Sequence, residues 1–258
     1  MPLLSVKKLT KNFDGLCANS NINMEINEGE LIGLIGPNGA GKTTLFNMLT
    51  GVYVPSEGVI EFNKDGNMVK LNGVKPYKIT QMGLARTFQN IRLFKEMSVL
   101  ENVMIAMNKD VSYGIVSALL RLPSYYKGEA QMRKKAIELL KIFNLDHKLD
   151  ELASNLPYGE PRRLEIARAM ASNPKLLFLD EPAAGMNPQE TAELTKLIKF
   201  IRDEFHLSII LIEHDMSLVM KLCERIYVLD YGKVIASGLP AEIKANKRVI
   251  EAYLGEEV

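Results

Sequence analysis

The chain has no tryptophan, two cysteines, three histidines and no excess of charge: 32 Lys and Arg face 31 Asp and Glu, a formal net charge of +1 over 258 residues. Each shortage excludes something. Cys17 and Cys223 have neither CxxC spacing nor a histidine cluster, which argues against a disulfide framework or thiolate metal site and predicts two reduced packing residues. Near-neutral charge without a long basic run argues against nucleic acid as a partner held by bulk charge, so phosphate recognition has to be local. No apolar run approaches bilayer-spanning length, and Met1-Pro-Leu-Leu-Ser-Val-Lys-Lys lacks the charged-then-apolar order of a signal peptide; both predict a cytosolic chain. What remains is an ordinary globular composition, 47% apolar, long enough for one large domain or a domain with an inserted subdomain. Internal repeats and low-complexity segments are absent from the sequence.

Against that background, residues 36–43 read Gly-Pro-Asn-Gly-Ala-Gly-Lys-Thr, between the apolar run Leu31-Ile-Gly-Leu-Ile35 and the helix-like Thr44-Leu-Phe-Asn-Met-Leu49. A glycine-rich turn between strand and helix points successive backbone N–H groups at an anion, and the helix adds its positive end. Gly36, Pro37, Asn38, Gly39, Ala40, Gly41, Lys42, Thr43 and Thr44 are therefore candidate nucleotide ligands. Lys42 would reach the β/γ-phosphates, and Thr43 would place its hydroxyl on Mg²⁺.

Two kinds of strand are legible. Asn21–Ile26 alternates strictly, with Ile22, Met24 and Ile26 on one face, and Val59–Phe62 offers a second short piece; both predict half-buried antiparallel strands. Leu31–Ile35, Leu176–Leu179 and Ile209–Ile212 are apolar on both faces and predict central strands of a parallel sheet covered by helices. Each of these three ends at polar chemistry, where open α/β sheets bind ligands. Residues 90–161 read instead as helical: Met132, Ala136, Leu139, Leu140 and Phe143 recur at helical spacing, and Leu164, Ala167 and Ala171 begin another stripe. The expectation is one α/β domain over 1–258, with a core at 1–89 and 162–258 and a helical insert at 90–161. Leu194, Leu197, Ile198, Ile201 and Phe205 predict a long amphipathic helix, followed by strands at 225–229 and 233–236 and a terminal helix near 241–253.

Asp180 and Glu181 leave the end of a buried strand pointing to opposite sides, so their roles can differ. Asp180 can hold Mg²⁺ through its water shell, while Glu181 orients or deprotonates an attacking water. His214 also ends an apolar strand, between Glu213 and Asp215, which fits a structural hydrogen-bonding role as well as a catalytic one.

The glycine loop, Gln89, Leu156-Pro-Tyr-Gly-Glu160, Leu177-Phe-Leu-Asp-Glu-Pro182 and His214 resemble, in order and spacing, the motifs of ATP-binding-cassette ATPases over nearly the whole chain. The resemblance implies a P-loop NTPase core with an N-terminal antiparallel β subdomain and an inserted helical subdomain. It also implies a head-to-tail dimer that sandwiches ATP between the glycine loop of one protomer and the signature segment of the other. On it, Phe13 stacks on adenine, Gln89 touches Mg²⁺ and links to a membrane partner, Glu181 is the base, and His214 contacts the γ-phosphate. Pro157, Tyr158, Gly159 and Glu160 would close the site across the dimer.

The segments Arg86–Phe94, Met97–Val103, Gly114–Pro123, Arg162–Arg168 and Glu181–Asn187 resemble the ATP-binding subunits of branched-chain amino acid importers, and share features with those for urea uptake or lipopolysaccharide export. That branch implies ATP and Mg²⁺ as cofactors, membrane-spanning permeases and a second cassette subunit as partners, a solute-binding protein indirectly, and a position on the inner face of the cell membrane. Phe88, Ile91, Leu93 and Phe94 could meet the permeases, although their spacing also fits core. A soluble ATPase acting on DNA or ribosomes would need a long coiled-coil insertion or two fused cassettes, which this length cannot hold. A P-loop kinase would need an acceptor site in place of the signature.

Three positions depart from the family pattern. Pro157 occupies the place of a serine and so offers neither a hydroxyl nor a backbone N–H to the γ-phosphate, a missing charge-assisted bond of about 1.5–3 kcal/mol. The expectation is a weak site at this chain's signature and an intact one at its own glycine loop. Pro161, in the first turn of a helix, removes only an N–H that has no helical partner. Asn187 stands where many cassettes carry aspartate.

Overall fold

The computed structural model describes residues 1–107, 111 and 113–254. Residues 108–110 and 112 of the expected helical insert, and the last four of the expected core, lie outside the described residues.

Strand β1 (Leu4–Phe13) carries the buried Leu4, Val6 and Leu9 and is flanked by antiparallel β2 (Leu16–Ile26) and β4 (Glu57–Lys64), with β5 (Asn67–Lys70) outside β4. The Ile22, Met24, Ile26 alternation is buried as expected. The two strands read from the sequence are not neighbours, because β1 lies between them. Its alternation breaks where Lys8 takes a φ of 50° and the register with β2 shifts between Val6 and Leu9.

Strands β3 (Leu31–Ile35), β6 (Leu84–Arg86), β7 (Leu176–Asp180), β8 (Ser208–Ile212), β9 (Arg225–Asp230) and β10 (Lys233–Gly238) form a second sheet in the order β10-β9-β3-β8-β7-β6. It is parallel except for β10. The three apolar runs are its centre, and every residue of β3, β7 and β8 is buried. Helix α1 (Lys42–Leu49) starts directly after the glycine turn and packs Leu45, Phe46 and Leu49 into a core shared with Leu4, Ile22, Phe62, Leu34 and Phe178. Phe46 meets Phe178 edge-on at 5.2 Å.

The chain divides into two compact units, residues 1–86 with 175–258, and residues 87–174. The expected core boundaries at 89 and 162 fall elsewhere: the second unit takes Thr87–Gln89 and holds residues as far as Pro174. It contains α3 (Val99–Ala106), α4 (Ile115–Leu119), α5 (Pro123–Ile142) and α6 (Glu160–Met170). Ala136, Leu139, Leu140 and Phe143 are buried, as their spacing predicts. The first unit also carries α2 (Pro76–Gln81), α7 (Pro188–Glu204), α8 (Met216–Leu222), α9 (Pro240–Ala245) and α10 (Lys247–Leu254).

Three expectations need correction. Phe205 is exposed, because α7 ends there and the residue caps the helix instead of continuing its stripe. The terminal helix is two helices, broken where Asn246 takes an extended ψ of 115°. Cys223 is buried, and burial pushes its thiol up to about 12, but Cys17 is exposed and is not a packing residue.

Candidate nucleotide site

At the end of β3 the backbone turns with φ of 150° at Gly36, 77° at Gly39 and 95° at Gly41. A side chain is impossible at two of these positions. A Cβ on Gly36 would collide with the Leu229 carbonyl, and one on Gly41 would sit 2.6 Å from the Ala18 carbonyl oxygen. Asn19, fully buried, donates through Nδ2 to the Gly41 carbonyl at 3.3 Å. The Tyr231-Gly232 turn between β9 and β10 braces the loop from another side: Gly232 N–H donates to the Ala40 carbonyl at 3.0 Å, and its own carbonyl accepts from Ser20 N–H at 2.8 Å. Helix α1 begins at Lys42 with no side-chain cap and no acid in its first turn, so its first N–H groups and positive end face the loop. Lys42 is buried, and its ammonium donates to the Gly36 and Pro37 carbonyls at 2.6 and 2.8 Å. A cation folded into a glycine cradle beside a helix N-terminus has the groups that bind a phosphate. Thr43 stands exposed in the first turn of α1, with Thr44 partly buried behind it.

Phe13, at the end of β1, is partly exposed and meets Tyr53 edge-on at 5.2 Å, with Lys11 Nζ 4.8 Å above the Phe13 ring. This is an aromatic pair with a cation over it, a surface on which a base can stack. Tyr53 was not legible in the sequence, because only the fold brings residues 13 and 53 together.

Asp180 ends β7 nearly buried, and its Oδ2 accepts from Arg86 Nη2 at 2.7 Å, the side chains being 6% and 7% exposed. Arg86 also donates to Asn47 Oδ1 at 2.6 Å and lies over the Phe46 ring. It thus ties the end of β6 to Asp180 and to the far end of α1. Glu181 is held at a φ of 47°, unusual for a residue with a side chain, and its N–H donates to the Ile212 carbonyl at 2.9 Å. Its Oε1 lies 2.7 Å from His214 Nε2. Asp215 is the N-cap of α8, accepting from Ser217 N–H at 2.8 Å, which holds its carboxyl below the usual range. Glu213 lies buried behind this pair, accepting from Ala183 N–H at 2.7 Å and His214 N–H at 3.1 Å. Burial pushes its carboxyl up. Asn187 caps α7 through a reciprocal box with Glu190, both bonds 2.9 Å, a task that asparagine and aspartate perform equally.

In the second unit, Gln89 is exposed on a segment clamped from α6. Arg162 donates to the Phe88 and Gln89 carbonyls at 2.7 and 2.9 Å. Glu165 accepts from Phe88 and Arg92 N–H at 3.3 and 3.2 Å and pairs with Arg162 at 2.8 Å. Burial raises the Glu165 carboxyl, opposed by Arg162. Ile91 and Phe94 are exposed, so they are not core, while Leu93 and Phe88 are partly buried. Gly159, with φ 86°, is the N-cap of α6, and Pro161 falls in its first turn. Pro157 and Tyr158 are exposed, and Glu160 accepts from Lys148 Nζ at 2.7 and 2.9 Å. Asn19 and Lys148 carried no signal in the sequence beyond their residue type, and Arg86, Arg162 and Glu165 lay in segments of the family resemblance that assigned them no role. The Asp230-Tyr-Gly-Lys233 turn did, as a glycine turn between two strand-like pieces.

Fold and site together define a P-loop nucleotide-binding protein: a parallel sheet whose strand β3 feeds a glycine cradle, with acid and imidazole at the ends of β7 and β8. Residues 19–184 match the ABC transporter family model, and residues 233–258 match that of the branched-chain amino acid ATP-binding cassette transporter. The chain is 47% identical over 255 residues, 99% of its length and 98% of the relative's, to the high-affinity branched-chain amino acid transport ATP-binding protein LivG of Salmonella typhimurium. It is 44% identical, with the same coverage, to BraF of Pseudomonas aeruginosa, which carries the same description. The crystal structure of the ADP conformation of MJ1267, an ATP-binding cassette of an ABC transporter, superimposes with a TM-score of 0.84 at 29% identity, each chain covered to 99%. The protein belongs to the ABC transporter family of ATP-binding cassettes.

Proposed function

We propose that this chain hydrolyses ATP to drive uptake of branched-chain or other hydrophobic amino acids, as one of two cassette subunits beneath membrane-spanning permeases on the inner face of the cell membrane. A solute-binding protein would deliver the cargo to the permeases. Lys42 and the N–H groups of residues 38–44 bind the phosphates, and Phe13 with Tyr53 and Lys11 holds the base. Thr43 and Asp180 are oxygen donors of the kind that Mg²⁺ selects, and would hold it; the ion would offset charge on the β- and γ-phosphates. Arg86 fixes one oxygen of Asp180, which sets the direction the carboxylate faces. Pro157, Tyr158, Gly159 and Glu160, with the N-terminus of α6, face the phosphates of the partner subunit.

The observation that carries the hydrolytic reading is the 2.7 Å contact between Glu181 and His214 at the ends of neighbouring parallel strands. Glu181 takes the proton of the attacking water. His214 orients that carboxylate and reaches the γ-phosphate, and Glu213, bonded to the His214 N–H, fixes the strand end beneath them. Exposed Ile91 and Phe94 offer the permease contact. Glu181→Gln is expected to retain ATP binding and to lose turnover by roughly 10²–10⁴-fold. Substantial hydrolysis by the variant removes Glu181 from the role of base. The cargo is tested by reconstituting the permeases with this chain and following leucine uptake against urea; urea uptake alone would overturn the assignment.

A further inference from the structure

Helix α4 turns its large apolar residues outward and leaves only Ser117 and Ala118 partly buried. Ile115, Val116, Leu119 and Leu120 are 88%, 67%, 80% and 64% exposed, and Leu122 follows at 41%. A surface helix is expected to turn its large apolar residues inward; this one turns them outward.

The backbone holds them there. Leu122 N–H donates to the Ser117 carbonyl at 3.0 Å and Arg121 N–H to the Ala118 carbonyl at 3.4 Å, with Arg121 left-handed at φ 48°. Those two bonds are the six-to-one and five-to-two pair of a helix-terminating motif. Pro123 then opens α5, and Ser124 Oγ donates to Ser117 Oγ at 3.0 Å across the corner. The apolar residues thus project from a fixed turn.

Around them the side chains change in kind. Tyr113, Tyr125 and Tyr126 form a ladder of edge-on rings spaced 5.1 and 5.3 Å, with Tyr126 exposed and the Tyr113 hydroxyl donating to Glu129. Residues 113–135 contain five basic residues and one acid, a net +4 in a chain whose total is +1. Arg121 and Lys127 flank the apolar corner and are exposed, as are Arg133, Lys134 and Lys135 farther along α5.

Exposed aliphatics, a tyrosine rim and clustered basic residues are the combination that settles at the boundary between acyl chains and anionic headgroups. We propose that the α4–α5 corner of this subunit binds the anionic lipid surface directly, independently of the permeases. A permease groove would account for the aliphatics but would not call for the surrounding excess of positive charge. The proposal draws on the transporter reading only for bringing a bilayer within reach.

The test is co-sedimentation of the full chain, without permeases, with vesicles of phosphatidylglycerol and phosphatidylcholine in equal parts or of phosphatidylcholine alone. Binding is expected to the mixed vesicles, about tenfold weaker to the neutral ones, and to fall as salt is raised. L119Q/L120Q should weaken it at least tenfold, and R121E several-fold. I115S, a single exposed change whose melting curve can be matched to the parent, guards against a misfolded double variant. Failure of the parent to sediment with the anionic vesicles, equal binding to both compositions, or unchanged binding by both apolar variants would each overturn the proposal. ATP turnover in the same samples, unaltered by these changes, reports separately on the hydrolytic reading.

Discussion

Two helices, α1 and α6, begin on a glycine of positive φ, and their N-termini are built differently. At α1 the N-cap is Gly41 with φ 95°, and at α6 it is Gly159 with φ 86°; neither helix has a side-chain cap. Both therefore leave backbone N–H groups for an external anion. Around α1, however, a buried lysine adds a full positive charge, no acid enters the first turn, and Asn19 and Gly232 lock the loop from outside. Around α6 the first turn carries Glu160, neutralised by Lys148, and Pro157 and Pro161 withdraw two N–H groups. The first cradle is equipped to hold a highly charged ligand unaided. The second has a weak field and is suited to complete a site that another chain has already filled.

Breaking the stronger cradle should have the largest effect. Lys42→Ala removes the buried ammonium and is expected to lower ATP turnover by roughly 10²–10³-fold and to weaken ATP binding, measured by nucleotide titration of the isolated chain. The fold should persist, because Lys42 makes its bonds to loop carbonyls outside the core. ATP affinity equal to the parent's would show that the backbone alone makes the cradle.

The weaker cradle can be sharpened. Pro157→Ser restores a hydroxyl and an N–H, and is expected to raise turnover of the assembled transporter by roughly 10- to 150-fold, the equivalent of the about 1.5–3 kcal/mol of a charge-assisted hydrogen bond. ATP affinity of the isolated chain should stay constant, since α6 would serve the partner's nucleotide. An unchanged assembled rate would mean that the α6 N-terminus suffices without the serine. A change in the isolated chain's affinity would mean that this signature acts on its own glycine loop.

The contrast also marks what could be read in advance. Strands β3, β7 and β8 were legible because burial on both faces leaves an uninterrupted apolar run, and the glycine loop because its chemistry requires fixed residues at fixed spacing. Strand β1 was not, since the register shift at Lys8 destroys its alternation, and β6 is three residues long. The residues that hold the site in place were the least legible. Arg86 meets Asp180 only because β6 lies beside β7, and Arg162 meets Gln89 only because α6 folds back on the segment 73 residues earlier. Such partners are set by topology, and no local pattern announces them.

The smallest effect separates the buried carboxylates behind the two regions. Burial raises both Glu213, in the unit of the glycine loop, and Glu165, on α6, but Arg162 opposes the rise at Glu165 alone, while the Glu181 charge adds to it at Glu213. A carboxyl raised in the folded state binds its proton more tightly there than in the unfolded chain. Its contribution to stability is therefore complete below the ordinary value of 4.5 and is lost as pH rises through the raised value. Glu213→Gln, which cannot ionise, should remove that loss: the urea midpoint of the variant relative to the parent is expected to improve as pH rises from 4.5 to neutrality. A difference that stays flat across this window would mean that the bonds from Ala183 and His214 stabilise the Glu213 carboxylate enough to cancel its burial.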